Sequence, residues 1–272
     1  MKLGVLIGFK AYDLEEKFKE VKEMGFDCVQ FSNWSDENET DENAQLVLSL
    51  CEKYGIKITT YWRGWEGPGV WDFLEGPATL GLVPAAYRAV RVRNLKKGSD
   101  FAKKIGVKSV ATHVGFLPEN PNTTEYRELI PVLRDVAQYC KNNGQNFLFE
   151  TGQETPITLK RTIEEIGTGN VGINLDAANL ILYGKGNPVD ALSVFGEYVM
   201  NLHAKDGKYP TCGNRLGEET PIGEGDVDFP RFIAKLKEIG YDGDITIERE
   251  ISGEQQIKDI IASKAYLESL IG

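Results

Sequence analysis

The run Val171-Gly-Ile-Asn-Leu-Asp176 is apolar along most of its length and ends in a carboxylate. Three further strand-like runs also end in a single polar residue: Asn146-Phe-Leu-Phe-Glu150, Tyr198-Val-Met-Asn-Leu-His203 and Asp244-Ile-Thr-Ile-Glu248. Each run is followed by a loop and then by a helical pattern. Because the carboxyl ends of the strands in an α/β barrel open on one face, we expect these four polar side chains to meet there.

Strand-like and helix-like patterns alternate from end to end of the 272-residue chain. The other predicted strands are Leu3–Phe9, Cys28–Phe31, Ile56–Tyr61 and Val107–Thr112. Eight strand–helix pairs favour a single (β/α)8 TIM barrel, an α/β fold, with residues 1–272 forming one domain. An open doubly wound sheet is the alternative, but the first predicted strand–helix turn carries no G-x-G-x-x-G fingerprint.

Composition excludes several partners. The formal net charge is -10, with 41 acidic against 31 basic residues, so we expect no general attraction to nucleic acid or to an anionic membrane. The N-terminal apolar run is too short to span a membrane and lacks a signal-type cleavage region. Four widely spaced cysteines without a C-x-x-C pair indicate free thiols in a reducing compartment, and hence a cytoplasmic protein.

The four strand-end residues predict a metal site. Three carboxylates and an imidazole would repel or stay unsatisfied in a buried cluster unless a divalent cation lay between them. Such ligands suit Mn²⁺, Mg²⁺, Co²⁺ or Zn²⁺, and the lack of a thiolate argues against a structural zinc site. A solvated strand end explains any one of these residues. It does not explain four at equivalent positions, one of them drawn from a chain with two histidines.

Five segments carry a family resemblance: Phe149-Glu150-Thr-Gly, Asn174-Leu-Asp176-Ala-Ala-Asn179, His203-Ala-Lys-Asp206, Gly223-Glu-Gly-Asp-Val-Asp-Phe229 and Ile247-Glu248-Arg-Glu250. They resemble the xylose isomerase-like TIM-barrel superfamily of sugar phosphate isomerases and epimerases. The resemblance implies a (β/α)8 barrel and one divalent cation held by Glu150, Asp176, His203 and Glu248. It also implies that Glu150 and Glu248 exchange protons with the substrate. Ketohexose epimerases usually have a His at the position of Asn179.

The expected chemistry is proton transfer next to a carbonyl. The cation would polarise the carbonyl of a hydroxy-ketone or hydroxy-aldehyde and stabilise an enediolate, while one glutamate removes the alpha proton and the other returns it. Return to the opposite face of the same carbon is epimerisation, and return to the neighbouring carbon is isomerisation. The sequence therefore predicts a metal-dependent isomerase or epimerase of a sugar or sugar derivative.

Five further residues are candidates for contact with this small carbohydrate: Trp62, His113, Asn179, Lys205 and Arg215. His113 ends the fourth predicted strand, and Trp62 follows the third. Lys205 and Arg215 belong to a long connection from Lys205 to Asp226, and another runs from Trp62 to Val83. Both connections exceed the usual length and should overhang the active face. Within the Trp62–Val83 connection, the aromatic loop Trp62–Phe73 is a candidate lid or subunit contact, so a homo-oligomer is one expectation.

Three other functions remain open. A keto-inositol-type dehydratase would use the same proton abstraction and then expel a hydroxyl. The apurinic endonuclease branch clusters several metals with many histidines and binds a polyanion, which a charge of -10 and two histidines argue against. A non-catalytic ligand-binding protein is the third. The sequence does not distinguish the sugar, its phosphorylation, the metal or the oligomeric state.

Overall fold

Eight apolar runs become the strands of a closed parallel barrel in the computed structural model, which describes residues 1–272. Ten strands occur in all, and every one except β8 and β9 belongs to the barrel: β1 (Lys2–Gly8), β2 (Cys28–Asn33), β3 (Lys57–Arg63), β4 (Ser109–Thr112), β5 (Asn146–Glu150), β6 (Val171–Asp176), β7 (Val199–Ala204), β8 (Asp206–Lys208), β9 (Glu218–Thr220) and β10 (Asp244–Ile247). The barrel order is β1-β10-β7-β6-β5-β4-β3-β2, and β1 pairs with both β2 and β10. This confirms the predicted (β/α)8 barrel.

Ten α-helices accompany the strands. They are α1 (Leu14–Glu23), α2 (Asp41–Tyr54), α3 (Gly76–Thr79), α4 (Ala85–Lys104), α5 (Thr124–Asn142), α6 (Pro156–Ile166), α7 (Ala177–Leu182), α8 (Pro188–Phe195), α9 (Phe229–Glu238) and α10 (Glu254–Ile271). Local chemistry sets their ends. In α2, for example, the Thr40 hydroxyl accepts a hydrogen bond from the Asn43 amide, and Gly55 takes the left-handed conformation that ends the helix. No helix has both the length and the apolar character needed to cross a bilayer.

Two details of the predicted elements are wrong. Strand β3 continues to Arg63, so Trp62 lies within the strand instead of after it. The strand is longer because Trp62 pairs with Ser32 on one side and Ala111 on the other. The connection after β7 also contains an unpredicted antiparallel hairpin, β8–β9. Its strands have three residues each, too few to show an alternating pattern.

Two irregularities in the barrel ladder decide which side chains face its interior. Ile173 pairs with Val199, but Asn174 pairs with Asn201, so Met200 is an extra residue in β7. A similar shift makes Thr59 the extra residue in β3. A shift of one residue turns every later side chain to the opposite face of the sheet. The two bulges therefore direct His203 and Trp62 into the barrel.

Buried Arg91 on α4 holds the long connection that follows β3. Its guanidinium donates hydrogen bonds to the backbone carbonyls of Glu66, Pro68, Thr79 and Gly81, at 2.6 to 3.2 Å. The same guanidinium lies 5.2 Å from the centroid of the Trp65 ring. The connection is therefore fixed to the barrel at several points along its length.

Replacing Arg91 by Lys should lower the free energy of unfolding by about 2 kcal/mol or more, because one ammonium cannot reach four carbonyls that are spread along the loop. Chemical unfolding measures this difference. Arg93→Lys is the matched control, since Arg93 is exposed on the same helix. Equal stability of the two variants would show that Arg91 does not anchor the connection.

Candidate metal centre and sugar site

Four neighbouring barrel strands bring the predicted ligands together. Glu150 and Asp176 are the last residues of β5 and β6, His203 lies in β7, and Glu248 follows β10 directly. Asp176 pairs with His203 across the ladder. His203 Nδ1 lies 3.2 Å from Glu150 Oε1, 3.0 Å from Glu248 Oε2 and 3.9 Å from Asp176 Oδ2. One candidate ligand atom from each residue lies within 4.8 Å of all the others.

The hydrogen bonding of this cluster fits a cation. His203 Nδ1, Asp176 Oδ2 and Glu248 Oε2 are buried, and none has a hydrogen-bond partner. On the other side of the imidazole, Gln30 Oε1 lies 2.8 Å from His203 Nε2. That carbonyl oxygen accepts the Nε2 proton, which leaves the lone pair of Nδ1 directed at the carboxylates. Buried polar atoms without partners are costly, and a divalent ion of suitable ligand preference would satisfy all three.

Burial and close charges together shift the pKa values of the cluster. Burial opposes ionisation of Glu150, yet His113 and His203 hold the pKa of Glu150 well below its usual range. Burial also opposes ionisation of Glu248, but Lys205 and His203 lower its pKa to about 2. For Asp176, burial prevails and raises the pKa to about 7. Burial disfavours protonated His203, but Glu150 and Glu248 hold its pKa well above its usual range.

Lys205 completes the charge pattern. Its ammonium is buried 3.3 Å from Asp176 Oδ2 and 3.6 Å from Glu248 Oε2, and it donates a 2.9 Å hydrogen bond to Glu250 Oε1. With His203 neutral, Lys205 and one divalent cation balance the three ligand carboxylates. Without the cation, protonation of His203 and partial protonation of Asp176 make up for the missing positive charge. A metal ion bound in this cluster would therefore displace protons from it.

Metal binding should therefore release about one to two protons per ion at neutral pH, and affinity should rise with pH through this range. The sign follows because the raised pKa values of His203 and Asp176 keep them protonated in the metal-free protein, whereas ligation needs both deprotonated. Calorimetric titration with Mn²⁺ in buffers of different ionisation enthalpy measures the protons. An Mn²⁺ affinity independent of pH between about 6 and 8 would contradict this.

A cavity of about 370 Å³ opens at this face of the barrel. Of the four predicted ligands, Glu150 and Glu248 line it, whereas Asp176 and His203 lie beneath its floor. All four tryptophans of the chain form one aromatic cluster, with ring-centroid distances of 5.0 Å for Trp34–Trp62, 6.3 Å for Trp62–Trp65 and 6.3 Å for Trp65–Trp71. Trp34, Trp62 and Trp71 make this cluster the tryptophan wall of the cavity, and the carboxylates of Glu150, Glu248 and Glu250 also line it.

The predicted substrate-contact residues occupy different positions. Trp62, His113 and Asn179 lie at the cavity beside Glu150: the Trp62 indole donates to Oε2, the Asn179 amide donates to Oε1 at 3.5 Å, and His113 Nε2 lies 3.4 Å from Oε1. Lys205 is buried beneath the cavity against the ligand carboxylates. Arg215 is exposed and does not line the cavity, so a substrate contact by Arg215 would need the loop to move. Their substrate roles stay predictions.

Several residues of the site escaped sequence reasoning. Gln30 and Asn174 hydrogen bond to one another at 3.1 Å, and both lie within 3.1 Å of His203 Nε2. Each is a polar residue inside an apolar strand, a pattern that can indicate a side chain directed into the barrel. Tyr183 lines the cavity from the end of α7, and its buried hydroxyl has no hydrogen-bond partner. It directly follows an apolar helix, and nothing in the sequence marks it.

The sequence matches a family model described as xylose isomerase-like TIM barrel over residues 18–270. The uncharacterised protein MJ1311 of Methanocaldococcus jannaschii is 25% identical, over 100% of this chain and 89% of that protein. A putative L-ribulose-5-phosphate 3-epimerase, UlaE of Shigella dysenteriae, is 24% identical over 86% of this chain and 81% of its own. An inosose dehydratase of Geobacillus kaustophilus is 26% identical over 47% and 46% of the two chains.

Solved structures share the whole barrel. The xylose isomerase domain protein from Planctomyces limnophilus aligns with a TM-score of 0.93 and 36% identity, over 99% of this chain and 96% of that one. An L-ribulose 3-epimerase aligns at 0.75 and 18%, over 98% and 94%. A xylose isomerase-like TIM barrel protein from Mycobacterium smegmatis, solved with magnesium, aligns at 0.72 and 17%, over 97% and 89%. The family match and the 36% relative show that this chain belongs to the xylose isomerase-like TIM barrel family.

Proposed function

We propose that this protein is a divalent-metal-dependent isomerase or epimerase of a sugar or sugar derivative. One observation carries the proposal: within a cluster that fits a cation, Glu150 and Glu248 also line the cavity. These carboxylates can thus face a bound substrate while Asp176 and His203 stay beneath. The epimerase names among the relatives and among the solved structures of this fold support the same reaction class.

The cluster would hold one cation of the Mn²⁺, Mg²⁺, Co²⁺ or Zn²⁺ type through Glu150, Asp176, His203 and Glu248. Such a cation, when bound, polarises a substrate carbonyl and stabilises negative charge that develops on its oxygen. The four free cysteines support a reducing compartment, and we assign the protein to the cytoplasm as part of the same proposal.

The two glutamates move the proton. One removes the proton alpha to the carbonyl; the electron pair of that C–H bond forms a C=C bond between the alpha carbon and the carbonyl carbon, and the carbonyl π pair passes to the oxygen. In epimerisation, the other glutamate delivers a proton to the opposite face of the same carbon while the carbonyl forms again. In isomerisation, the proton goes to the former carbonyl carbon, and the proton of the hydroxyl on the alpha carbon passes to the former carbonyl oxygen. The Trp62 indole and the Asn179 amide both donate to Glu150 and fix its orientation. Lys205 holds Glu248 from below.

A dehydratase is a second candidate because His113 lines the cavity next to Glu150. After loss of the alpha proton, a hydroxyl on the adjacent carbon would take a proton from His113 and leave as water. His113 is poised for this by position, since its Nε2 lies 3.4 Å from Glu150 Oε1. The partial match to an inosose dehydratase points the same way.

A screen in heavy water distinguishes these reactions. The protein, loaded in turn with Mn²⁺, Mg²⁺, Co²⁺ or Zn²⁺, is incubated with a panel of ketoses, aldoses and keto-inositols. An epimerase or isomerase incorporates deuterium at the alpha or neighbouring carbon and gives a product of otherwise unchanged composition. A dehydratase gives a product lighter by one water. If no panel member exchanges hydrogen with any of the four metals, the proposed function is wrong.

A further inference from the structure

The charges around the cavity are unfavourable for an anion. Three carboxylates line it, Glu150, Glu248 and Glu250, and no Lys or Arg is among its lining residues. Lys205 and a divalent cation together balance the three ligand carboxylates, as described above. With His113 neutral, Glu250 then leaves one negative charge in excess. A phosphate dianion placed in the cavity would therefore meet net repulsion at short range.

The cations near the cavity already have carboxylate partners. Lys205 is fully engaged by Asp176, Glu248 and Glu250 beneath the cavity. Arg249 points away from it and pairs with Glu219 at 2.9 Å and Asp259 at 2.8 Å. Recruiting either cation for a phosphate would leave buried carboxylates without their counter-charge, which is costly.

The remaining walls of the cavity suit an uncharged, hydroxylated ligand. Trp34 and Trp71 line one side and are 46% and 40% exposed, so their rings can cover the C–H face of a sugar. The Tyr183 hydroxyl and His113 Nδ1 also belong to lining residues, and both are buried without a hydrogen-bond partner. Substrate hydroxyls can both donate and accept, so a hydroxyl that reached either atom would satisfy it.

A shallow groove of about 560 Å³ adjoins the cavity and shares Trp34, Glu248 and Glu250 with it. Lys10 at its outer rim is the one cation there without a carboxylate within 4.0 Å, and its ammonium lies 5.9 Å from the centroid of the Tyr12 ring. Glu37 lines the same groove. An exposed lysine opposite a carboxylate is a weak phosphate site.

We propose that the substrate is an unphosphorylated, uncharged sugar, with its non-reacting end against the tryptophan wall and its hydroxyls on Tyr183 and His113. This inference rests on the proposed function, because it assigns the substrate class of the same site. Because the charge of the ligand affects its binding directly, binding as well as turnover can test the proposed substrate class.

The first test compares matched pairs of free sugars and their terminal phosphates: D-fructose, D-tagatose and L-ribulose against the corresponding esters. Quenching of tryptophan fluorescence in the Mn²⁺-loaded protein reports binding, and deuterium incorporation reports turnover. We expect each free sugar to bind at least about 100-fold more tightly than its phosphate, since like charges in close contact repel each other. Equal or tighter binding of the phosphates overturns the inference.

Two substitutions at one cavity position separate the effect of an added charge from the effect of added polarity. Leu216 lines the cavity at the loop side and is half-buried. Leu216→Arg adds a cation there, and Leu216→Gln adds polarity of similar length without charge. We expect Leu216→Arg, compared with Leu216→Gln, to improve phosphate binding relative to free sugar by about tenfold or more. An unchanged ratio would show that charge does not exclude phosphate, and the inference would fall.

Two further outcomes separate the failures. If a free sugar binds but no sugar exchanges deuterium, the proposed function fails while the substrate class stands. If the phosphates exchange faster than the free sugars, the proposed function stands and the substrate class is wrong. In that case Lys10→Gln should reduce phosphate turnover, which would identify the outer groove as the phosphate site.

Discussion

Glu150→Gln and Glu248→Gln each reduce the rate at which solvent deuterium appears in the product by about 1000-fold or more. An amide has nearly the shape of a carboxylate but cannot take up or return a proton at neutral pH. General acid–base catalysis contributes factors of about 100 to 10,000 in rate. Each glutamate also offers a ligand atom, so both variants should bind Mn²⁺ more weakly. Exchange is therefore measured by NMR at Mn²⁺ concentrations that saturate each variant, which separates proton transfer from metal affinity.

Glu224→Gln is the matched control, because Glu224 is an exposed carboxylate on the connection above the barrel. It should exchange at the wild-type rate. The two site variants need not lose the same amount of exchange. For a given substrate in heavy water, exchange is blocked first in the variant that has lost the glutamate that removes the proton. Near-normal exchange in both metal-saturated variants would exclude these glutamates as the proton-transfer pair.

Lys205→Met should lower the free energy of unfolding of the metal-free protein by about 3 kcal/mol, because the change leaves buried carboxylates without their counter-charge. Mn²⁺ should recover much of this loss. Removing the ammonium makes the cluster more negative, so the variant should bind the ion more tightly than wild type does, and ligand binding stabilises the folded state. Chemical unfolding in EDTA and in excess Mn²⁺ gives both numbers for each protein.

Lys208→Met provides the comparison, since Lys208 is exposed at the end of β8. That variant should match wild type under both conditions. Wild-type stability of Lys205→Met in EDTA would mean that the carboxylates are neutralised mainly by protonation of Asp176 and His203, and that Lys205 contributes little.

Most of the barrel follows from local patterns. The strands β5 and β6 have the predicted bounds, and the four candidate ligand positions end the predicted runs. Apolar runs of strand length, separated by helical periodicity, define these elements wherever they occur in the chain. The cluster of candidate metal ligands could be predicted because parallel strands share one open end. The hairpin β8–β9 and the extension of β3 to Arg63 could not, since both depend on partners distant in the sequence.

The positions of the charged side chains around the site could be determined only from the tertiary structure. The sequence suggested Lys205 and Arg215 as groups that contact the substrate. In the fold, Lys205 is buried against Asp176, Glu248 and Glu250, while Arg215 is exposed outside the cavity. Sequence position cannot determine whether a cation faces a ligand or a neighbouring carboxylate, because that depends on the direction of each side chain above the barrel.

The sequence alone determined that eight strands alternate with helices and that Glu150, Asp176, His203 and Glu248 stand at or next to the ends of four of them. Whether His203 faces the other three depended on the tertiary structure. Met200 is the extra residue that aligns Asp176 with His203, and its sulfur packs where a side chain at Gly172 would stand. Strand register is set by cross-strand packing, and a slip of one residue reverses every side chain. Without that bulge, the imidazole would point toward the helices, away from the carboxylates.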